Sequence, residues 1–281
     1  MSVASVLTPD VAEGRDGESG VAAALALTAR ELRRFVRQPS RVASSIGTPV
    51  LLWLFASAGL GGAMVVGDAG ADGEAAGYAA FLLPGMATMV VLFSTIFAAI
   101  SLIQDRQAGF LQSVLVSPAP AWAIVFSKVT GGAVIAAAQA AILLLGAPLA
   151  GLSPGPLGYA GAFAVAACTA IALTSLGLAA AWRVNSTAGF HGIMNMLLMP
   201  TWLLSGAIFP VDQAAGWLGF VARLNPLHWC VNAMARTLGA PSAAGTHWHW
   251  IGVIGFAAAM FAVAWRTIAR GVVEPGSDVA G

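Results

Sequence analysis

Charge is scarce in this 281-residue chain. Asp, Glu, Lys and Arg make up 9% and hydrophobic residues 58%, against about 25% and roughly 45–50% in soluble globular proteins. A soluble domain is excluded, and so is intrinsic disorder, which needs the reverse composition. A formal net charge of +1 leaves no basic field for nucleic acid. Lysine occurs once, at Lys128 in Phe126-Ser127-Lys128-Val129. A phosphate-cradling loop needs Gly-Lys-Ser/Thr, so no P-loop exists here. The two cysteines, Cys168 and Cys230, lie in separate apolar neighbourhoods and form neither a disulfide framework nor a ligand set. The first twenty residues are polar and acidic, without the basic and apolar regions of a signal peptide. The first apolar helix is read as the insertion signal.

What is present is a series of long charge-free stretches. A spanning helix needs about 20 apolar residues, at ~1.5 Å rise across ~30 Å of hydrocarbon. Between Arg41 and Asp68 lie 26 uncharged residues, between Glu74 and Asp105 lie 30, between Arg183 and Asp212 lie 28, and between Arg236 and Arg266 lie 29. The 54 between Lys128 and Arg183 suffice for two spans, joined by a turn at Gly151-Leu152-Ser153-Pro154-Gly155-Pro156. The expectation is an all-α integral membrane protein with six transmembrane helices near 44–66, 78–101, 122–149, 158–182, 190–209 and 247–266. Barrel strands would need an alternation that the sequence lacks.

Arginine sets the orientation. Eleven of the thirteen Lys/Arg fall before the first helix, after the sixth, or in the loops after the second and fourth; the opposite side holds Arg223 and Arg236. The positive-inside rule places both termini in the cytoplasm of a cell-membrane protein. The expected division is a disordered tail at 1–21, an amphipathic interfacial helix at 22–42, a six-helix domain at 43–270 and a second tail at 271–281.

Three segments outside the spans have character of their own. Ala22 to Gln38 carries Leu25, Ala29, Leu32 and Val36 at helical spacing with Arg30, Arg33, Arg34 and Arg37 around them, and Pro39 stops it. Such a helix is expected along the inner membrane surface, as a lipid anchor alone or also as a docking surface. Pro210 to Thr246 is too apolar for an ordinary loop, and Asn225-Pro226 divides it into two short helices. They either dip into the outer leaflet and return, as a re-entrant pair, or lie flat on it. Finally, residues 104–118 combine Asp105 and Arg106 with Gly109, an apolar face of Phe110, Leu111, Val114 and Leu115, and Pro118. This composition predicts a short helix across the cytoplasmic mouth.

An acidic-Arg pair, a glycine three residues on, then Leu-x-Ser-Pro resembles the segment after the second span of ABC-2 type transporter permeases. Phe81-Leu82-Leu83-Pro84-Gly85, Leu204-Ser205-Gly206 with Phe209-Pro210, and Leu224-Asn225-Pro226-Leu227 follow in the same order as family features, over residues 22 to 270. Asp105 stands where many relatives carry Glu. The resemblance implies an exporter built from two six-span permeases, a second copy or a sister chain, with two nucleotide-binding ATPase subunits. ATP and Mg would sit on those partners and no cofactor on this chain. Residues 104–118 would then be the coupling helix, seated in a groove of the ATPase, and the outer helix pair would shape the exit. Implied cargo is amphipathic or lipid-like.

Two rival classes are weaker. An ion-coupled secondary transporter needs intramembrane carboxylates or His, and all twelve carboxylates fall outside the predicted spans. A membrane-embedded enzyme needs a nucleophile with a base. Ser205 has no buried His partner in the sequence reading, and His247 and His249 diverge on a helix.

Overall fold

The computed structural model describes residues 12–60, 77–109, 120–241 and 248–273. Those residues form nine α-helices and two 3-10 turns and contain no strand: α1 Ala12–Val36, α2 Pro39–Leu60, α3 Tyr78–Gln107, α4 Ala121–Leu144, α5 Pro156–Arg183, α6 Thr187–Leu203, α7 Gly216–Leu224, α8 Pro226–Leu238 and α9 Trp248–Val273, with 3-10 turns at Ala147–Ala150 and Val211–Gln213. Five helices are long and apolar enough to cross a membrane: Pro39–Leu60, Tyr78–Gln107, Trp122–Leu144, Pro156–Arg183 and Trp248–Ala269.

The expected fifth span at 190–209 takes a different form. Helix α6 has 17 residues, a rise of about 26 Å. The chain then leaves the helix, with Gly206 at φ +83°, a left-handed conformation that costs any residue with a Cβ. The tail and helix boundaries also change. Residues 12–21 and 271–273 are helical rather than tail, and the helix expected at 22–42 divides at Arg37-Gln38. Proline has no N–H to lose at the first helical position, so Pro39 opens α2 as readily as it ends α1.

Helix α3 is the hub. It is buried along 83% of its most apolar window, whereas the corresponding windows of α2 and α9 are 17% and 22% buried. Small residues let its neighbours close in. A Cβ on Gly177 of α5 would stand 3.0 Å from Ala99, and one on Gly132 of α4 would stand 2.9 Å from Ala98 and 2.7 Å from Thr174. Close backbone approach of this kind is how helices gain packing energy where lipid supplies no hydrophobic drive.

Helix α1 is aligned with α4 rather than laid across it. A Cβ on Gly20 would meet the Trp122 ring at 2.8 Å, and one on Gly131 would meet Glu31 at 3.0 Å. Eleven residues of α1 thus run beside nine of α4 in the same direction. The contacting stripe is Ala24, Glu31 and Phe35, all buried, while Leu25 and Val36 are exposed.

Candidate functional site

The last turn of α3 gathers the charged groups. Asp105 is 2% exposed and is reached from two other helices. From α1, Arg34 Nη1 lies 2.5 Å and Arg30 Nη2 3.3 Å from Oδ1; from α4, Lys128 Nζ pairs with Oδ2. Lys128 also holds the buried Glu31 at 2.7 Å, and the Ser101 hydroxyl donates to Glu31 at 3.2 Å. Two buried carboxylates therefore share one ammonium and two guanidiniums. A charge taken out of water costs several kcal/mol unless paired and hydrogen-bonded, and here the pairing fixes α1, α3 and α4 against one another.

The adjacent Arg106 points the other way. Its Nη1 donates to Asn185 Oδ1 at 2.7 Å and its Nη2 to the Trp182 carbonyl at 2.8 Å, with the guanidinium 5.3 Å from the Trp182 ring centroid. Gln107 Nε2 adds a bond to the Asn185 carbonyl at 2.8 Å. The Asp105-Arg106 pair thus clamps the end of α3 on both sides, to α1 and α4 through the acid and to the α5–α6 turn through the base.

Residues 104–107 belong to α3 itself, and Gly109 at φ +71° follows it in the left-handed conformation. The expectation of one short helix over 104–118 is corrected at its beginning. Hydrogen bonds from Ala108 N to Gln104 O and Gly109 N to Arg106 O finish the long helix first. Phe110, Leu111, Val114, Leu115 and Pro118 lie outside the described residues. Among the four arginines of α1's basic face, Arg30 and Arg34 turn into the cluster, whereas Arg33 and Arg37 are exposed.

At the opposite end, three sequence motifs converge. A Cβ on Gly85 would lie 2.6–2.8 Å from atoms of Ala207, so only glycine lets the 204–210 segment pass. The Trp202 indole donates to the Gly85 carbonyl at 2.8 Å and the Tyr78 hydroxyl to the Ile208 carbonyl at 3.0 Å. Asn225 works in both directions. Its Nδ2 donates to the Thr201 carbonyl at 2.5 Å while its Oδ1 caps α8 by accepting from Leu227 N at 2.9 Å. His228 Nδ1 meets the Ser205 carbonyl at 2.8 Å, so a buried histidine does lie against Ser205. It serves the backbone, and the Ser205 hydroxyl donates to Trp202 O at 2.6 Å. Pro210 stands just before the turn at Val211–Gln213.

Helix α8 is buried along most of its length and runs antiparallel to α5. Thr237 abuts Gly161, and the Cys230 thiol meets Thr169. Seven residues of one thus match eight of the other, about 11–12 Å. Residue Thr169 lies midway along Pro156–Arg183. A bulky Trp229 fills the space beside Gly252 of α9, where a Cβ would be 2.8 Å from the indole.

Several residues of these networks were not evident from the sequence, where every carboxylate falls outside the predicted spans. Asp105 is buried in the long α3, and Lys128, Glu31 and Gln104 complete its network. One signal was available: a solitary lysine in an apolar helix demands a partner. His228 and Asn232, whose Nδ2 donates to the His228 carbonyl at 2.9 Å, carried no such signal. His249 packs edge-on to His228 with ring centroids 5.9 Å apart. Among the described residues no group of three or more His, Cys, Asp and Glu is placed to hold a metal.

The chain is 28% identical over 156 residues to the Escherichia coli K12 protein named as a probable multidrug ABC transporter permease, YbhR, covering 53% of this chain and 41% of that one. It is 29% identical over 218 residues to nodulation protein J of Rhizobium leguminosarum bv. viciae, covering 72% and 76% respectively. The family model described as ABC-2 type transporter matches residues 22–238, from the cluster-forming face of α1 to the end of α8. The chain belongs to the ABC-2 type transporter family.

Proposed function

We propose that this chain is the membrane subunit of an ATP-driven exporter, moving an amphipathic or lipid-like molecule out of the cytoplasm or the inner leaflet. ATP and Mg are held by a separate nucleotide-binding subunit, since the sequence has no P-loop. A second permease, identical or related, completes the pathway. Both termini and the 102–121 region face the cytoplasm of the cell membrane, in keeping with the eleven-to-two distribution of Lys and Arg.

The observation that carries the reading is the two-sided clamp at the end of α3. Asp105 and Arg106 tie that turn to α1, α4 and the α5–α6 connection. A force delivered to the chain just beyond Gly109 is therefore passed to three elements at once. Phe110, Leu111, Val114 and Leu115 supply an apolar face to receive it, and such a face in the cytoplasm is costly unless a partner covers it. At the far end, α7 and α8 form a re-entrant pair that shapes the exit. The alignment of Cys230 with Thr169, midway along α5, supports this depth, as does the neutral hydrogen bonding of the carbonyls of Gly85, Thr201, Ser205 and Ile208. Non-helical backbone persists inside a bilayer only where protein or water covers it.

Copurification tests the reading. The tagged chain extracted from its native membrane should bring down an ATPase subunit. Leu111→Ala with Leu115→Ala should reduce that recovery about thirtyfold or more, as expected for loss of buried anchors worth at least about 2 kcal/mol, while the permease still inserts. No copurifying ATPase with the unmodified chain would overturn it.

A further inference from the structure

At the junction of α1 and α2, a shallow cleft opens beside the charge cluster, lined by Arg34, Gln38, Arg41 and Lys128 on its polar side and by Phe35 and Phe97 among its apolar residues. Glu31 also lines it but is held by Lys128 at 2.7 Å. The positive groups are not balanced. Arg34, Arg41 and Lys128 line the cleft with one carboxylate, Glu31, and the adjoining Asp105 takes Arg34 and Lys128. Among the described residues Arg41 makes no carboxylate contact. Its Nη2 and that of Arg34 instead converge on one neutral oxygen, Gln104 Oε1, at 3.2 and 2.9 Å. Asp105 lies beside the Arg34 guanidinium, so Arg41 is the member of the pair whose charge is left to an uncharged acceptor, a position that a further anion would stabilise. The segment 110–119 contains no Asp or Glu to supply one.

Position identifies the anion. Arg41 stands in the first turn of the first membrane-spanning helix, the depth at which phospholipid phosphates lie. Apolar side chains share the cleft with it: Phe97, whose ring centroid is 6.0 Å from the guanidinium, and Phe35. We propose that this cleft is a binding site for an anionic phospholipid, its phosphate bridging Arg41 and Arg34 and its acyl chains running along the exposed face of α2. Basic pockets between helix ends at the cytoplasmic surface recognise such headgroups through charge and shape together. A soluble anion would make the same polar contacts but would leave the apolar wall unused. The lipid would tie α1 to α2 at the break at Arg37-Gln38, beside the clamp on α3.

The test uses the full-length chain in detergent, with phosphatidylglycerol, phosphatidylcholine and inorganic phosphate as probes. Native mass spectrometry should show phosphatidylglycerol retained about tenfold or more over phosphatidylcholine, the scale of one or two charge-assisted hydrogen bonds. Arg41→Gln, which keeps a donor for Gln104, should erase that preference. Arg41→Lys should keep much of it, and Arg37→Gln on the exposed side should keep all of it. Melting temperature should rise with phosphatidylglycerol and not with phosphate. Equal retention of the two lipids by the unmodified chain would overturn the proposal even if the Arg41 variants failed to fold. So would an unchanged preference in Arg41→Gln, and stabilisation by inorganic phosphate equal to that by phosphatidylglycerol would overturn the lipid as the ligand.

Discussion

The two ends of the bundle solve the same problem with different chemistry. Around Asp105, buried side chains are ionised and cross-linked: Lys128 bridges two carboxylates, and Arg34 reaches the same acid from α1. Around Pro226, buried side chains are neutral, and Asn225, His228, Trp202 and Tyr78 each donate to a main-chain carbonyl. The first arrangement joins separate helices to one another. The second covers backbone where helix α6 has ended early. The difference follows from surroundings. Charged groups are tolerable where each is paired with an opposite charge, whereas buried backbone without helix partners needs donors, and neutral ones cost less to bury.

The comparison predicts how severely each end responds to loss of one side chain. Asp105→Ala should have the largest effect, because it leaves Lys128 and Arg34 facing a single remaining carboxylate. Removing one partner of a buried pair costs about 3–5 kcal/mol, so the variant should aggregate on size-exclusion chromatography or melt well below the unmodified chain. His228→Ala should cost less, about 1–3 kcal/mol, the desolvation of one orphaned carbonyl at Ser205. Thermal unfolding in the same detergent would rank the two, and a larger loss for His228→Ala would break the comparison. Arg106→Ala removes a partly exposed clamp, worth about 1 kcal/mol in stability. It should leave the ATPase bound while lowering the stimulation of ATP hydrolysis by transported substrate, since such a charge sets orientation more than affinity. The smallest effect belongs to Arg223→Ala. Its pair with Asp212 spans 3.1 Å between side chains 67% and 49% exposed, so its loss should shift stability by about 0.5 kcal/mol or less.

Legibility in the sequence differed between the same two regions. Charge-free runs located five long helices within several residues, because length and hydropathy are one-dimensional properties. The Asn225-Pro226 break was equally plain, since proline acts on its own backbone. The expected fifth span was not, because α6 stops at a glycine conformation and at carbonyls captured by Asn225 and His228, all contacts distant in the chain. Arg30 and Arg34 read as part of a basic surface helix for the same reason. Their partner Asp105 lies more than seventy residues away, and only the packing of α1 along α4 brings them together. Gly85 was visible as part of a motif, but its purpose, passage of Ala207, belongs to the fold.

Ser113→Cys in a background with Cys168 and Cys230 replaced by Ala tests the central claim most directly. Its reaction with an impermeant maleimide should be compared in intact cells and in inside-out vesicles, with and without the ATPase. The account predicts labelling only in inside-out vesicles, and slower labelling once the ATPase is bound. Labelling from outside intact cells, or a rate indifferent to the ATPase, would contradict it.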